Sequence, residues 1–87
     1  MKTETEIRQA LREWVLAKNG KIRPEDLDDE TPIIERRIIS SPQIMDLILF
    51  IERLSARPID VERLKVGVFR NINAIYQNFF EEATYAR

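Results

Sequence analysis

The feature that most constrains the fold is the spacing of the apolar residues, which recur every three or four positions in separate segments of the chain. This spacing places them on one face of an α-helix. No segment shows the apolar–polar alternation of a β-strand over any length, and no internal repeat is present. Because a chain of 87 residues supports only one modest core, residues 1–87 are expected to form a single all-α domain.

The first helix is predicted at about residues 4–18. Thr3 is followed three positions later by Glu6, which is a capping-box pattern for a helix start. Asn19-Gly20 provides the stop, because both residue types tolerate the left-handed conformation. The core face of this helix consists of Ile7, Leu11, Trp14 and Val15.

The periodicity lapses between residues 21 and 40, where two prolines and an acidic run interrupt it. Pro24 is expected to open a short turn of helix, since proline is favoured at the first helical position. The acidic run, residues 25–30, lacks the alternating ligands and central glycine of a calcium loop. It is therefore interpreted as a solvated loop rather than a cation site.

A second helix is predicted to begin at Ser41 as N-cap, with Pro42 at its first position, and to end at Arg57-Pro58. Met45, Leu49 and Phe50 lie off its core stripe, so part of this helix is expected to meet another surface. The core stripe consists of Ile44, Leu47, Ile48, Ile51 and Leu54.

Two further helices are predicted after Pro58. Asp60 is expected to cap a short helix that runs through Lys65, and Gly67 provides the break after it. The last helix is placed at about residues 69–83. Its core face consists of Ile72, Ile75, Tyr76 and Phe79. The sequence thus predicts a four-helix bundle of three long helices and one short helix, with a core over about residues 5–83.

The composition excludes several functions. The chain has neither Cys nor His, which rules out disulfides, Cys or His metal sites, and Ser-His-Asp or Cys-His catalysis. A formal charge of −1 argues against a nucleic-acid partner. The longest apolar run, residues 47–51, is too short to span a membrane, and no signal-peptide pattern is present, so a cytoplasmic protein is expected. We expect no enzymatic activity, and any reactive group is expected to be borrowed.

The stretch from residue 29 to residue 34, Asp-Glu-Thr-Pro-Ile-Ile, resembles the D-x-T-P-L-F lead-in of the acyl carrier protein family. In that family a Gly, two apolar residues and Asp-Ser-Leu follow, and the Ser is the ninth residue after the Pro. Nine residues after Pro32 stands Ser41, and Ile38-Ile39 matches the apolar pair. Residues 45–52 and 57–60 resemble the family's V-E-L-V-x-x-L-E and G-I-x-I segments, so the similarity covers about residues 5–80.

Three residues depart from the family pattern. Arg37 stands where Gly is usual, Ser40 replaces the Asp, and Pro42 replaces the Leu. A Ser-Ser pair also resembles some aminoacyl-type carrier proteins. Compared with a general fatty-acid carrier, Arg53 makes the second helix less acidic, which points to a dedicated partner in a specialised pathway.

The resemblance implies a bundle of the acyl-carrier-protein type in which Ser41 carries a covalent 4′-phosphopantetheine arm. The arm would hold an acyl or aminoacyl group as a thioester. Implied partners are a phosphopantetheinyl transferase, an acyl- or aminoacyl-activating ligase and acyl-using enzymes, with Met45, Asp46 and Leu49 as partner-binding residues and the protein as a monomer. Arg36 and Arg37 precede Ser41 and are interpreted as solvated charges rather than phosphate ligands.

Two other interpretations stay open. The chain could be a degenerate carrier fold that is not modified and that acts as a protein–protein interaction domain through Met45, Leu49 and Phe50. It could also be an unrelated helical adaptor that mimics the motif. Ser40-Ser41-Pro42 alone would be a plain helix cap, and the aromatic residues Trp14, Tyr76, Phe79 and Phe80 are expected in the core and at its rim.

Overall fold

The computed structural model describes residues 3–65 and 67–81. All regular structure in these residues is helical, which confirms the all-α prediction. The elements are α1 (Glu4–Lys18), a 3₁₀ turn (Pro24–Asp26), α2 (Ser41–Ser55), a second 3₁₀ turn (Val61–Arg63), α3 (Ile72–Tyr76) and a π-helical turn (Gln77–Glu81).

The predicted bounds and capping box of α1 are confirmed. The Glu6 N–H donates to Thr3 Oγ1 at 3.2 Å, and the Thr3 N–H donates to Glu6 Oε1 at 2.9 Å. The left-handed stop is wrong, because Asn19 is extended, with φ −127°. Its side chain instead donates to the carbonyl oxygen of Ile38 at 3.1 Å and accepts from the N–H of Lys21 at 2.9 Å. Asn19 therefore links the end of α1 to the segment that precedes α2.

The helix α2 begins one residue earlier than predicted from Ser41 as its N-cap. Ser40 is the N-cap, Ser41 is the first helical residue and Pro42 the second. Gln43 decides which of the two serines is the N-cap, because its Oε1 accepts the Ser40 N–H at 2.9 Å. The helix ends at Ser55, before Arg57-Pro58, because Ala56 takes the left-handed conformation with φ 58°.

The third predicted helix is a 3₁₀ turn that ends at Arg63, short of Lys65. Asp60 caps it as predicted, accepting the N–H of Glu62 at 3.1 Å. The last helix begins at Ile72 rather than at residue 69, because Asn71 Oδ1 accepts the N–H of Ala74 at 2.7 Å and caps it there. Ala83, its predicted end, lies outside the described residues.

The core lies between α1, α2 and the last helical segment. Leu47 and Ile51 are fully buried, with 0% of their surface exposed, as predicted. α1 packs against α3, and α2 packs against the π-helical turn. Four further buried hydrophobic residues come from the connection between α1 and α2, where the sequence shows no periodicity: Leu27, Ile33, Ile38 and Ile39.

An ionic cluster around Asp29 fastens this connection to α1 and α3. Arg8 Nη1 donates to Asp29 Oδ2 at 2.8 Å, and Arg12 Nη1 donates to Asp29 Oδ1 at 2.6 Å. The Asn73 N–H donates to the Asp29 carbonyl oxygen at 2.9 Å, and Arg8 Nη2 donates to Asn73 Oδ1 at 3.0 Å. The interpretation of residues 25–30 as a solvated loop is therefore wrong for Asp29, whose side chain is 25% exposed.

The cluster also affects Arg8 itself. Burial opposes the charged form of its guanidinium, but hydrogen bonds and charge interactions with Asp29 and Glu4 outweigh burial and raise the pKa of Arg8. The guanidinium further lies over the ring of Tyr76, 4.6 Å from its centroid. Arg8 thus connects α1 both to the connection and to α3.

Asp28 shapes the turn that leads to Pro32. Its Oδ1 accepts the N–H of Glu30 at 2.9 Å and the hydroxyl of Thr31 at 3.0 Å, while Thr31 Oγ1 accepts the Asp28 N–H at 3.0 Å. The bonds that the carboxylate accepts, first that from the Glu30 N–H and then that from the Thr31 hydroxyl, lower the pKa of Asp28. The Ile33 N–H then donates to the carbonyl oxygen of Arg70 at 3.0 Å. This bond holds residues 29–34 against the segment before α3.

Candidate functional site

Ser41 and Ser40 lie side by side at the start of α2 but differ in their bonding. Both residues are exposed. The hydroxyl of Ser40 donates to Gln43 Oε1 at 3.1 Å, so it takes part in the cap. Among the residues that the structure describes, none hydrogen-bonds to the hydroxyl of Ser41. Of the two serines, Ser41 therefore presents the more available nucleophile.

The backbone before Ser41 makes a sharp turn at Arg37. This residue has φ 59°, in the left-handed region that favours glycine and that costs other residues about 1–2 kcal/mol. The N–H of Arg37 donates to the carbonyl oxygen of Ile34, and the N–H of Ile39 donates to that of Ile33, each at 3.0 Å. The turn directs Ile38 and Ile39 into the core and returns the chain to the surface at Ser40.

The surroundings of Ser41 favour an anion. The first turn of α2 contains no acidic residue, and it lies at the positive end of the helix dipole. Arg36 and Arg37 are exposed, and neither forms an ion pair within the described part of the chain. Within the described residues, no hydrogen bond joins either arginine to Ser41.

The three predicted partner-binding residues all lie on the surface of α2. Met45 and Leu49 are 54% and 53% exposed, and Asp46 is also exposed. Phe50, the third apolar residue off the core stripe, is half-buried and stacks on Trp14 of α1 with ring centroids 5.7 Å apart. The second surface that Phe50 meets is thus α1, whereas Met45 and Leu49 face solvent.

Sequence reasoning missed that these residues belong to a longer row. Exposed residues follow one another at intervals of four from Ser41, and we call this row the exposed ridge: Ser41, Met45, Leu49, Arg53 and Arg57. Residues four apart in a helix lie on adjacent turns of one face. Arg57 lies just beyond the end of α2 and lines an open groove of about 410 Å³ together with Leu49 and Arg53. The spacing of four, counted from Ser41 onwards, is the signal that would have revealed the ridge.

The described residues offer a nucleophile and a surface but no metal centre. Within residues 3–65 and 67–81, no three acidic side chains are grouped so that they could hold a metal ion. In the same part of the chain, no helix has the length and apolar content needed to cross a membrane. Comparison with known proteins finds no protein-family model that matches the chain and no curated protein similar to it.

Proposed function

We propose that the protein is an acyl carrier protein that holds an acyl or aminoacyl group on a 4′-phosphopantetheine arm attached to Ser41. The observation that carries the proposal is the exposed hydroxyl of Ser41 at the first position of α2, nine residues after Pro32. This is the position at which the resemblance to the acyl carrier family predicts the modified serine. The protein itself would catalyse no reaction.

The three departures from the family pattern are compatible with this register. Arg37, at the family's Gly position, adopts the left-handed conformation for which glycine is the usual choice. Ser40, at the family's Asp position, is the N-cap of α2, and Ser and Asp are both preferred there. Pro42 lies in the first turn of the helix, where its missing N–H leaves no hydrogen bond unmade.

The residues around Ser41 also suit the arm chemically. A phosphodiester on the Ser41 oxygen would lie at the start of a 15-residue helix, where the helix dipole favours a negative charge. The arm ends in a thiol, which supplies the thioester chemistry that a chain without Cys lacks. The transferase provides Mg²⁺ and any base, so Ser41 needs only to be accessible.

The proposal includes partners and a setting. The phosphopantetheinyl transferase, an acyl- or aminoacyl-activating ligase and the acyl-using enzymes would meet the face of α2 that carries Met45, Asp46 and Leu49. Arg53 gives this face a mixed charge, which supports a dedicated partner in a specialised pathway. We further propose that the domain follows the helix order of the family, with the 3₁₀ turn at Val61–Arg63 in the place of its short third helix, works as a monomer and acts in the cytoplasm.

The decisive experiment measures the intact mass after incubation with coenzyme A, Mg²⁺ and a broad-specificity phosphopantetheinyl transferase. The wild type and Ser40→Ala should each gain one phosphopantetheine group, and Ser41→Ala should gain none. Because Ser40 forms the cap, Ser41→Ala leaves the cap intact. Ser40→Ala is the variant expected to lose about 0.5–2 kcal/mol of stability. Circular dichroism establishes that both variants are folded.

The outcomes separate the alternatives. If the folded wild type remains unmodified with several such transferases, the carrier proposal fails and the unmodified interaction domain takes its place. If Ser41→Ala is still modified and Ser40→Ala is not, the register of the resemblance is wrong by one residue.

A further inference from the structure

The exposed ridge changes character along its length. It begins with the hydroxyl of Ser41, continues with the two exposed apolar side chains of Met45 and Leu49, and ends with the guanidinium groups of Arg53 and Arg57. Leu49, Arg53 and Arg57 together line the open groove at the end of α2. An apolar surface is thus joined directly to a basic one.

The two arginines are not neutralised by their neighbours. Neither forms an ion pair with any residue that the structure describes. The acidic residue that lines the groove, Glu52, is half-buried, and its Oε2 accepts the N–H of Ile59 at 2.7 Å. The carboxylate of Asp60 pairs with Arg63, with 3.5 Å between Asp60 Oδ2 and Arg63 Nε. This end of the ridge therefore carries unpaired positive charge, although the whole chain has a formal charge of −1.

We infer that the exposed ridge binds an acidic protein segment. An apolar side chain of the partner would lie against Met45 and Leu49, and carboxylates would pair with Arg53 and Arg57. A guanidinium group matches a carboxylate through two parallel hydrogen bonds, so two adjacent arginines select an acidic partner. The inference rests on the proposed function for its purpose, since it names the partner that approaches Ser41, but the binding itself needs no modified serine.

The ridge fits a protein better than a lipid surface. An interfacial helix presents a broad apolar face with basic residues on both sides of it. On the exposed ridge only Met45 and Leu49 are apolar, and the opposite side of α2 is buried in the core through Leu47 and Ile51. The exposed apolar surface of the ridge is thus confined to two side chains.

A matched pair of peptides tests the inference on the unmodified protein. One is a helical peptide with leucines four residues apart beside glutamates, and the other has lysines in place of the glutamates. Backbone amide chemical shifts, followed by NMR during titration, report affinity and location together. The acidic peptide should bind more tightly, should shift amides at residues 45–57, and should weaken as salt is added.

Charge reversal supplies the controls. Arg53→Glu/Arg57→Glu should weaken binding of the acidic peptide by about fivefold or more, from the loss of two exposed ion pairs, and should improve binding of the basic peptide. Arg36→Glu/Arg37→Glu makes the same change in net charge at exposed positions off the ridge. It should leave the affinity for the acidic peptide within about twofold at moderate salt, where distant charges are screened.

Several results would overturn the inference. These are equal or tighter binding of the basic peptide, shifts located away from the ridge, or an equal loss in both double variants. Binding to anionic vesicles without binding to the acidic peptide would assign the ridge to a membrane, and concentration-dependent self-association through it would assign the ridge to a second copy. Because no transferase is used, these results are independent of whether Ser41 accepts the arm.

Discussion

Replacing the Asp29 carboxylate tests whether the ionic cluster holds the long connection in place. Asp29→Asn keeps the size of the side chain and leaves the main-chain bond from Asn73 intact, so the substitution affects only the two bonds from Arg8 and Arg12. A hydrogen bond to a charged group contributes about 1.5–3 kcal/mol. The Asp29 side chain is 25% exposed, and solvent screening therefore reduces the value of each bond.

We expect Asp29→Asn to lower the free energy of unfolding by about 2–3 kcal/mol, since the amide oxygen still accepts one of the two bonds. A domain of this size has a total stability of about 4–13 kcal/mol, so the loss is a large fraction of it. Urea denaturation followed by circular dichroism measures the change. The transition midpoint should fall while its slope stays the same.

Glu30→Gln is the matched control, because it removes the same charge from the adjacent, exposed residue. It should change the free energy of unfolding by less than about 0.5 kcal/mol. A double-mutant cycle with Arg12→Gln then isolates the Asp29–Arg12 interaction. If Asp29→Asn is as stable as Glu30→Gln, the cluster does not anchor the connection and the reasoning is refuted.

Three further predictions concern the core, the turn before Pro32 and the face of α2. Leu47→Ala should lower the free energy of unfolding by about 2–5 kcal/mol, because Leu47 is fully buried. Urea denaturation measures the change, and a loss below about 0.5 kcal/mol would contradict its place in the core. The pKa of Asp28 in the folded protein lies below its ordinary value of 3.8, so the ionised carboxylate stabilises the fold fully above pH 3.8. This contribution is lost as the pH falls through the folded-state pKa. The stability difference between wild type and Asp28→Asn should therefore shrink on acidification below 3.8, and a difference independent of pH would speak against it. Asp46→Lys should slow acyl transfer with a partner enzyme at low salt, because Asp46 lies off the exposed ridge and is proposed to meet a basic group of the enzyme rather than the acidic segment. The circular dichroism should stay unchanged, and unaltered kinetics would remove Asp46 from the contacts.

Local signals in the sequence were enough for α1 and for most of the core. Its capping box and its apolar spacing act within one helix, so its start and its core face are readable from the sequence. Its end was predicted at the right residue for the wrong reason, since Asn19 is extended rather than left-handed. The predicted N-cap of α2 is wrong by one residue, because Ser40 and Ser41 are the same residue type and either could cap the helix. The choice depends on Gln43, which can reach back only to Ser40.

The burial of the connection and the role of Asp29 depend on contacts between distant segments, which the periodicity of the sequence does not show. Ile33 and Ile39 are buried from an irregular connection, where no repeating backbone geometry spaces apolar residues evenly. Asp29 looked like one charge in an acidic run, and its role follows from arginines that lie 17 and 21 residues away in the sequence. The identity of the candidate serine came from a resemblance in spacing, whereas its free hydroxyl is a property of the folded chain.

The burial of the connection between α1 and α2 has a consequence for how the domain opens. A surface loop can usually detach while the helices around it stay folded, and it is then cleaved by proteases at little energetic cost. Here Leu27, Ile33 and Ile39 lie in the same core as the helices, so releasing the connection exposes much of that core. The amide hydrogens of Ile33 and Ile39, which are buried and bonded, should therefore exchange only when the whole domain unfolds. The segment that leads to Ser41 is thus tied to the core on both sides of its exposed turn, and a partner that approaches the serine meets a surface that the core holds in place.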